Sequence, residues 1–172
     1  QPVLAQAKAR GVNVYLFVSP QHVWAHFYED AAHRTRVHEM FKLRLRKMAE
    51  DLASLPGAGR VELWDFDGLD SVTLEDVPPS GSKLDTHYFW EHSHFKTTTG
   101  NAIIAAMLGG PGGIDGFGVR LDRVDVAAHL GETRKKLEAW ANTHPDDAAL
   151  LRQAAMRKVA CGGGKETADG DN

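Results

Sequence analysis

The stretch HYFWEHSHF, residues 87–95, holds the densest set of side chains able to do chemistry: His87, Glu91, His92, Ser93 and His94. Glu91 and His94 are three residues apart. In a loop or a first helical turn, that spacing lets the carboxylate bind one imidazole nitrogen while the other faces a substrate or nucleophile. The carboxylate then fixes the tautomer and stabilises the imidazolium formed during proton transfer. The same pattern also describes an acidic residue favoured by a helix dipole beside a packed histidine. Zinc is the rival chemistry, because His92-x-His94 with His87 or Glu91 supplies ligands of the right type. Imidazoles two apart converge only in an extended segment, and no outer-shell partner can be named. The sequence therefore assigns no metal and no cofactor. His22 and His26, four apart on one helix face, have no third ligand and read as surface histidines. Ser19 follows a strand but lacks the Gly-x-Ser-x-Gly elbow that exposes a nucleophile. Trp64, Tyr88 and Trp90 read first as core; beside a reactive loop they also suit sugar stacking.

These residues need elements to hold them. VNVYLFV (12–18) and VELWDF (61–66) are β-branched, aromatic and nearly continuous in apolar character, as strands buried on both faces of a parallel sheet are. Between them, residues 21–55 are helical, with a break expected near Glu29-Asp30. Val37, Phe41, Leu45, Met48, Leu52 and Leu55 recur at steps of three and four and form the expected buried stripe. Strand, helix, strand implies a right-handed parallel crossover. A long irregular loop, 67–85, leads to the reactive segment. A helix follows, capped by Thr97 or Thr98 and burying Ile103, Ile104, Met107 and Leu108. Residues 109–118 read as a flexible loop, Asp122 as the cap of a helix to about Asn142, and Pro145 as the first turn of a last helix to about Lys158. Residues 161–172, rich in Gly, Lys, Asp and Thr, read as a disordered tail. Two strands do not make a stable parallel sheet, so further strands are expected from polypeptide outside these residues.

Composition narrows the function classes. The 172 residues are 42% hydrophobic and 25% charged, the balance of one globular domain. A net charge of −3 gives no reason to expect nucleic acid as a partner. No apolar run nears the ~20 residues of a membrane-spanning helix. The single cysteine, Cys161, rules out an internal disulfide.

The segments FVSPQHVWAHFY, LWDFDGLDSVTLEDVPP, HYFWEHSHFKTTTGNAII and FGVRLDRVDVAAHLGETRKKLEAW, in that order, resemble bacterial extracytoplasmic proteins of the SGNH hydrolase-like superfamily, relatives of those that O-acetylate exopolysaccharides such as alginate. The resemblance covers most of residues 10–145. It implies an α/β fold of the flavodoxin-like, three-layer α/β/α kind, with parallel strands and a helical C-terminus. Residues 1–160 would be the C-terminal portion of that domain. The superfamily's last block is Asp-x-x-His; Glu91 and His94 stand at the matching positions, with Glu in place of the usual Asp. His94 would be the base and Glu91 its orienter. The nucleophilic Ser and the oxyanion Gly and Asn belong to earlier blocks, upstream of these residues. The implied activity is that of a serine-type esterase or O-acyltransferase acting on a carbohydrate or acyl-ester substrate. Its implied setting is outside the cytoplasm, with a membrane-bound acyltransferase as partner. The alternative is a catalytically inactive SGNH-like domain that binds glycan or scaffolds an export system.

Overall fold

A computed structural model describes residues 2–79 and 81–162, the side chains of 158–162 excepted. Helix α1 (Pro2–Ala9) leads into strand β1 (Val14–Val18). Helices α2 (Val23–Ala31) and α3 (Thr35–Ser54) carry the chain over to β2 (Val61–Asp65). β1 and β2 pair in parallel, from Val14 opposite Val61 to Val18 opposite Asp65, as the strand–helix–strand order requires. A short third strand, β5 (Val119–Arg120), completes the order β1-β2-β5. It runs antiparallel to β2, with Trp64 opposite Arg120 and Asp65 opposite Val119. The fold is thus mixed α/β, with a parallel pair in a mixed sheet.

Between β2 and β5 lie a long loop, a hairpin of β3 (Phe89–Glu91) and β4 (His94–Phe95), and helix α4 (Thr97–Leu108). Helices α5 (Val126–Thr143) and α6 (Pro145–Gly162) close the described chain. Cys161 and Gly162, expected as part of a disordered tail, belong to α6; the rest of that expectation, residues 163–172, lies outside the described residues.

Several expectations are corrected. The break between α2 and α3 falls at residues 32–34, not at Glu29-Asp30, with His33 at φ 58°. Arg34 clasps Glu29 through two hydrogen bonds of 2.6 and 2.9 Å across that turn. The expected α3 stripe holds only in part: Leu52 is buried and Leu45 packs on the core, but the N-terminal half turns another face inward. Val37, Phe41 and Leu55 are exposed, while Lys42, Ala49 and Leu52 are buried. His38, Lys42, Ala49 and Leu52 share one helical stripe, and its polar half faces carboxylates at the end of β2. Hydrophobic spacing alone cannot register that pull.

α4 starts at Thr97 without a side-chain cap. It buries Ala102 and Ile103 but leaves Ile104 and Leu108 exposed. Asp125, not Asp122, caps α5, accepting from the N–H groups of Ala127 and Ala128 at 2.9 and 3.2 Å. Asp122 instead takes the guanidinium of Arg120 and the N–H of Leu63. The 109–118 segment ends in order: Phe117 is buried against Phe66, their ring centroids 5.0 Å apart.

Gly118 makes that approach possible. Its φ is +89°, and a Cβ there would overlap the Phe66 ring. Gly118→Ala is expected to cost about 2–4 kcal/mol, from backbone strain plus overpacking. Urea denaturation checks this; an unchanged midpoint and slope would show that the Phe66 contact does not constrain the chain.

Candidate functional site

The hairpin is built around one apolar anchor. Phe89 is buried among Phe66, Val72, Ala102, Ile103 and Phe117, while residues 90–94 project outward. Glu91 pairs with His94 across β3 and β4, in an irregular register. That pairing brings the sequence-predicted residues together: a Glu91 Oε1 accepts from His94 Nδ1 in a close contact. Ser93 Oγ donates to the same oxygen at 2.8 Å, and Ser93 N–H to Oε2 at 3.2 Å. His92 Nδ1 lies 2.9 Å from Oε2. The slight desolvation of Glu91 pushes its carboxyl pKa up, but hydrogen bonds from Ser93 and His94 outweigh it and hold the value at about 2. Glu91 is therefore ionised wherever an imidazole can act as a base.

The His94 side chain is 80% exposed, and among the described residues no hydrogen bond occupies its Nε2. Ser93 reaches His94 on the Nδ1 side, at 3.2 Å, the edge already held by the carboxylate. It is a brace for Glu91 and not a nucleophile for Nε2. His87 does not join the cluster; its backbone N–H meets Glu75.

The hairpin docks at the carboxyl end of β1. His22 N–H donates to the carbonyl of His92 at 2.9 Å, and Gln21 N–H to Asp67 Oδ1 at 3.1 Å. The short connection from β1 to α2 thus touches both the hairpin and the end of β2. In open α/β sheets, sites gather at this edge.

His22 and His26 are buried, at 3% and 9% exposure, contrary to their reading as surface histidines. His22 caps α2: its Nδ1 accepts from Trp24 N–H at 3.2 Å, and its Nε2 donates to Glu75 O at 2.6 Å. Those two partners define one neutral tautomer. Burial pushes its pKa below the ordinary 6.5, overcoming the carbonyl of Glu75. Trp90 also departs from expectation, being 69% exposed with Lys96 Nζ 4.6 Å from its ring centre. Trp64 behaves as core, stacked on Phe66.

A second constellation lies beneath α3. Lys42, Asp65 and Asp67 are all nearly fully buried. Lys42 Nζ donates to Asp65 Oδ2 at 2.9 Å and to the Asp67 carbonyl at 2.8 Å, and lies 3.2 Å from Asp67 Oδ2. His129 of α5 meets Asp65 Oδ2 at 2.9 Å. His26 of α2 and His38 of α3 flank Asp67, at 3.0 Å from Oδ1 and 2.7 Å from Oδ2. Burial would raise both carboxyl pKa values. For Asp67 the flanking His26 and His38 with Lys42, and for Asp65 His129 with Lys42, more than reverse it. Burial would likewise lower Lys42, and the two carboxylates raise it instead. The sequence carries one trace of this cluster: the Asp-x-Asp of WDFD, placed where an apolar strand ends. Nothing in spacing announces that His26, His38 and His129, from three helices, converge on it.

No family model, curated protein or solved structure matches the chain. No described helix is long and apolar enough to cross a membrane. Fold and site together define a mixed α/β domain with an exposed carboxylate–histidine pair at the carboxyl edge of its parallel strands.

Proposed function

We propose that this chain supplies the base of a serine-type esterase or O-acyltransferase of the SGNH hydrolase-like kind, acting on a carbohydrate. The observation that carries the proposal is the Glu91 carboxylate bound to His94 Nδ1 while Nε2 stays open to solvent. In acyl transfer, Nε2 takes the proton of an attacking serine hydroxyl and returns it to the leaving oxygen, while Glu91 holds the tautomer and stabilises the imidazolium. The serine and the oxyanion donors would come from polypeptide outside residues 1–172. Two features support such a completion. β1 is an outer strand of the sheet, and Phe17 on it is exposed, so further strands can add beside it. A groove of about 280 Å³ runs past Trp24, Trp90, Glu91 and His92, offering an aromatic face to a sugar ring. Acetyl transfer onto a polysaccharide, outside the cytoplasm and beside a membrane-bound acyltransferase, is the setting this chemistry suits.

The exposed Trp90 also favours the second reading, a catalytically inactive glycan-binding or scaffolding domain. Substitutions at Glu91 separate the two in a longer polypeptide that contains this chain. Glu91→Gln should slow turnover of nitrophenyl acetate on the order of 10–100-fold. Glu91→Asp should preserve or improve it. Glycan binding without any acyl transfer, or transfer indifferent to Glu91→Gln, leaves the binding-module reading standing.

A further inference from the structure

We infer that His26, His38 and Asp67 form a binding site for one divalent transition-metal ion of the zinc class. This site is separate from the Glu91–His94 pair and does not depend on the function proposed above. The ligand atoms, His26 Nε2, His38 Nε2 and a carboxylate oxygen of Asp67, lie within 4.8 Å of one another. Among the described residues, no other trio of histidine, cysteine and carboxylate side chains meets that condition. Two imidazoles and a carboxylate are a known zinc donor set; with bonds near 2.0–2.2 Å, ligand atoms in a tetrahedral site stand about 3.3 Å apart. His26 Nε2 lies 3.0 Å from Asp67 Oδ1 and His38 Nε2 2.7 Å from Asp67 Oδ2, so the imidazoles flank the two oxygens of one carboxylate and would move apart by up to about 0.6 Å around an ion.

The second observation is unsatisfied polarity. His26 Nε2 and Asp67 Oδ2 are buried, and neither completes a hydrogen bond, even though each lies close to a possible partner. Their distances suit hydrogen bonds but their directions do not. A buried imidazole nitrogen and a buried carboxylate oxygen left this way cost free energy. A cation between them would satisfy both at once. A cavity of about 40 Å³ adjoins the site, walled by His26, His38 and Lys42, with Glu29 and Glu39 also lining it. It has room for a water as fourth ligand, and the partly exposed His38 lies on the entry path.

The neighbouring ammonium is accommodated. Lys42 is paired with Asp65, whose carboxylate also holds His129, and its other hydrogen bond goes to the Asp67 backbone carbonyl. Lys42 Nζ also lies 3.2 Å from Asp67 Oδ2, so the incoming ion shares the Asp67 carboxylate with that ammonium. Gln21 N–H on Asp67 Oδ1 serves as the outer-shell bond that orients the ligand. Such an ion would join α2, α3 and the end of β2 at the base of the loop that carries the hairpin.

Zinc chloride titrated calorimetrically into the chelator-stripped chain tests this. One equivalent should bind, with a dissociation constant below about 1 µM. Cobalt(II) in its place should give the intense visible bands of a tetrahedral site. His38→Ala should weaken binding on the order of 100-fold or more and abolish those bands. His38→Gln gives the same readout if the alanine variant unfolds. The double variant His92→Ala/His94→Ala should bind zinc as the parent does. No binding in the parent, or binding lost in the hairpin variant but retained at His38→Ala or His38→Gln, overturns the site.

Discussion

His94→Ala, made in the longer polypeptide, is expected to lower acyl-transfer turnover by on the order of 10³-fold or more while leaving the fold intact. Loss of one member of a serine–histidine–carboxylate set leaves only oxyanion and binding effects, and a 10³-fold loss corresponds to about 4 kcal/mol of transition-state stabilisation. The fold should not notice. The side chain is 80% exposed, and among the described residues its hydrogen bonds go to Glu91 and Ser93 on its own hairpin. Thermal unfolding of the variant should therefore match the parent, which separates a role in proton transfer from a structural one. With the imidazole gone, Glu91 keeps its bonds from Ser93, so the hairpin retains its shape. Normal turnover in His94→Ala would remove the catalytic proposal. The 172-residue chain by itself, with no serine hydrogen-bonded to His94 Nε2 among the described residues, should hydrolyse nitrophenyl acetate no faster than its own His94→Ala variant.

Lys42→Ala is expected to destabilise the fold by about 3–5 kcal/mol, because removing one partner of a buried ion pair strands the other. Here it strands two carboxylates, Asp65 and Asp67, both nearly inaccessible to water. Against a total stability of roughly 5–15 kcal/mol, such a loss brings the chain near unfolding at room temperature. Urea titration measures it, and a cost under about 1 kcal/mol would show that the cluster relaxes by taking up protons or water. The same groups shape the pH profile. Asp65 and Asp67 titrate below their ordinary 3.8 in the folded state, so their contribution is present above that value and lost as pH falls beneath it. Lys42 titrates above its ordinary 10.5, so its contribution is present below that value and lost as pH rises past it. His22 titrates below 6.5 and must stay neutral to cap α2, so it begins to oppose folding as pH drops under 6.5. Lys42→Ala should reduce the alkaline decline.

The two parallel strands and the local pair are legible along the chain. β-branched, apolar runs specify β1 and β2 wherever they are, and the intervening helices force them parallel. Glu91 and His94 are close in sequence, so a short reversal suffices to join them, and their meeting was legible from spacing. Expecting the segment as a loop or first helical turn missed only that the reversal is a hairpin, held by Phe89 in the core. The interior of α3 and everything that faces it depend on long-range packing. Counting apolar residues selects Val37, Phe41, Leu45, Met48, Leu52 and Leu55 for burial; the folded chain buries Leu52 and packs Leu45 on the core, but exposes Val37, Phe41 and Leu55 and buries Lys42. Two carboxylates at the end of β2 can be buried only with a cation beside them, and the helix turns its polar stripe inward to supply it. His26, His38 and His129 come from helices separated in the chain by up to about a hundred residues. Their convergence on Asp65 and Asp67 is a long-range electrostatic outcome, and periodicity, which reports only on neighbours along one element, carries no record of it.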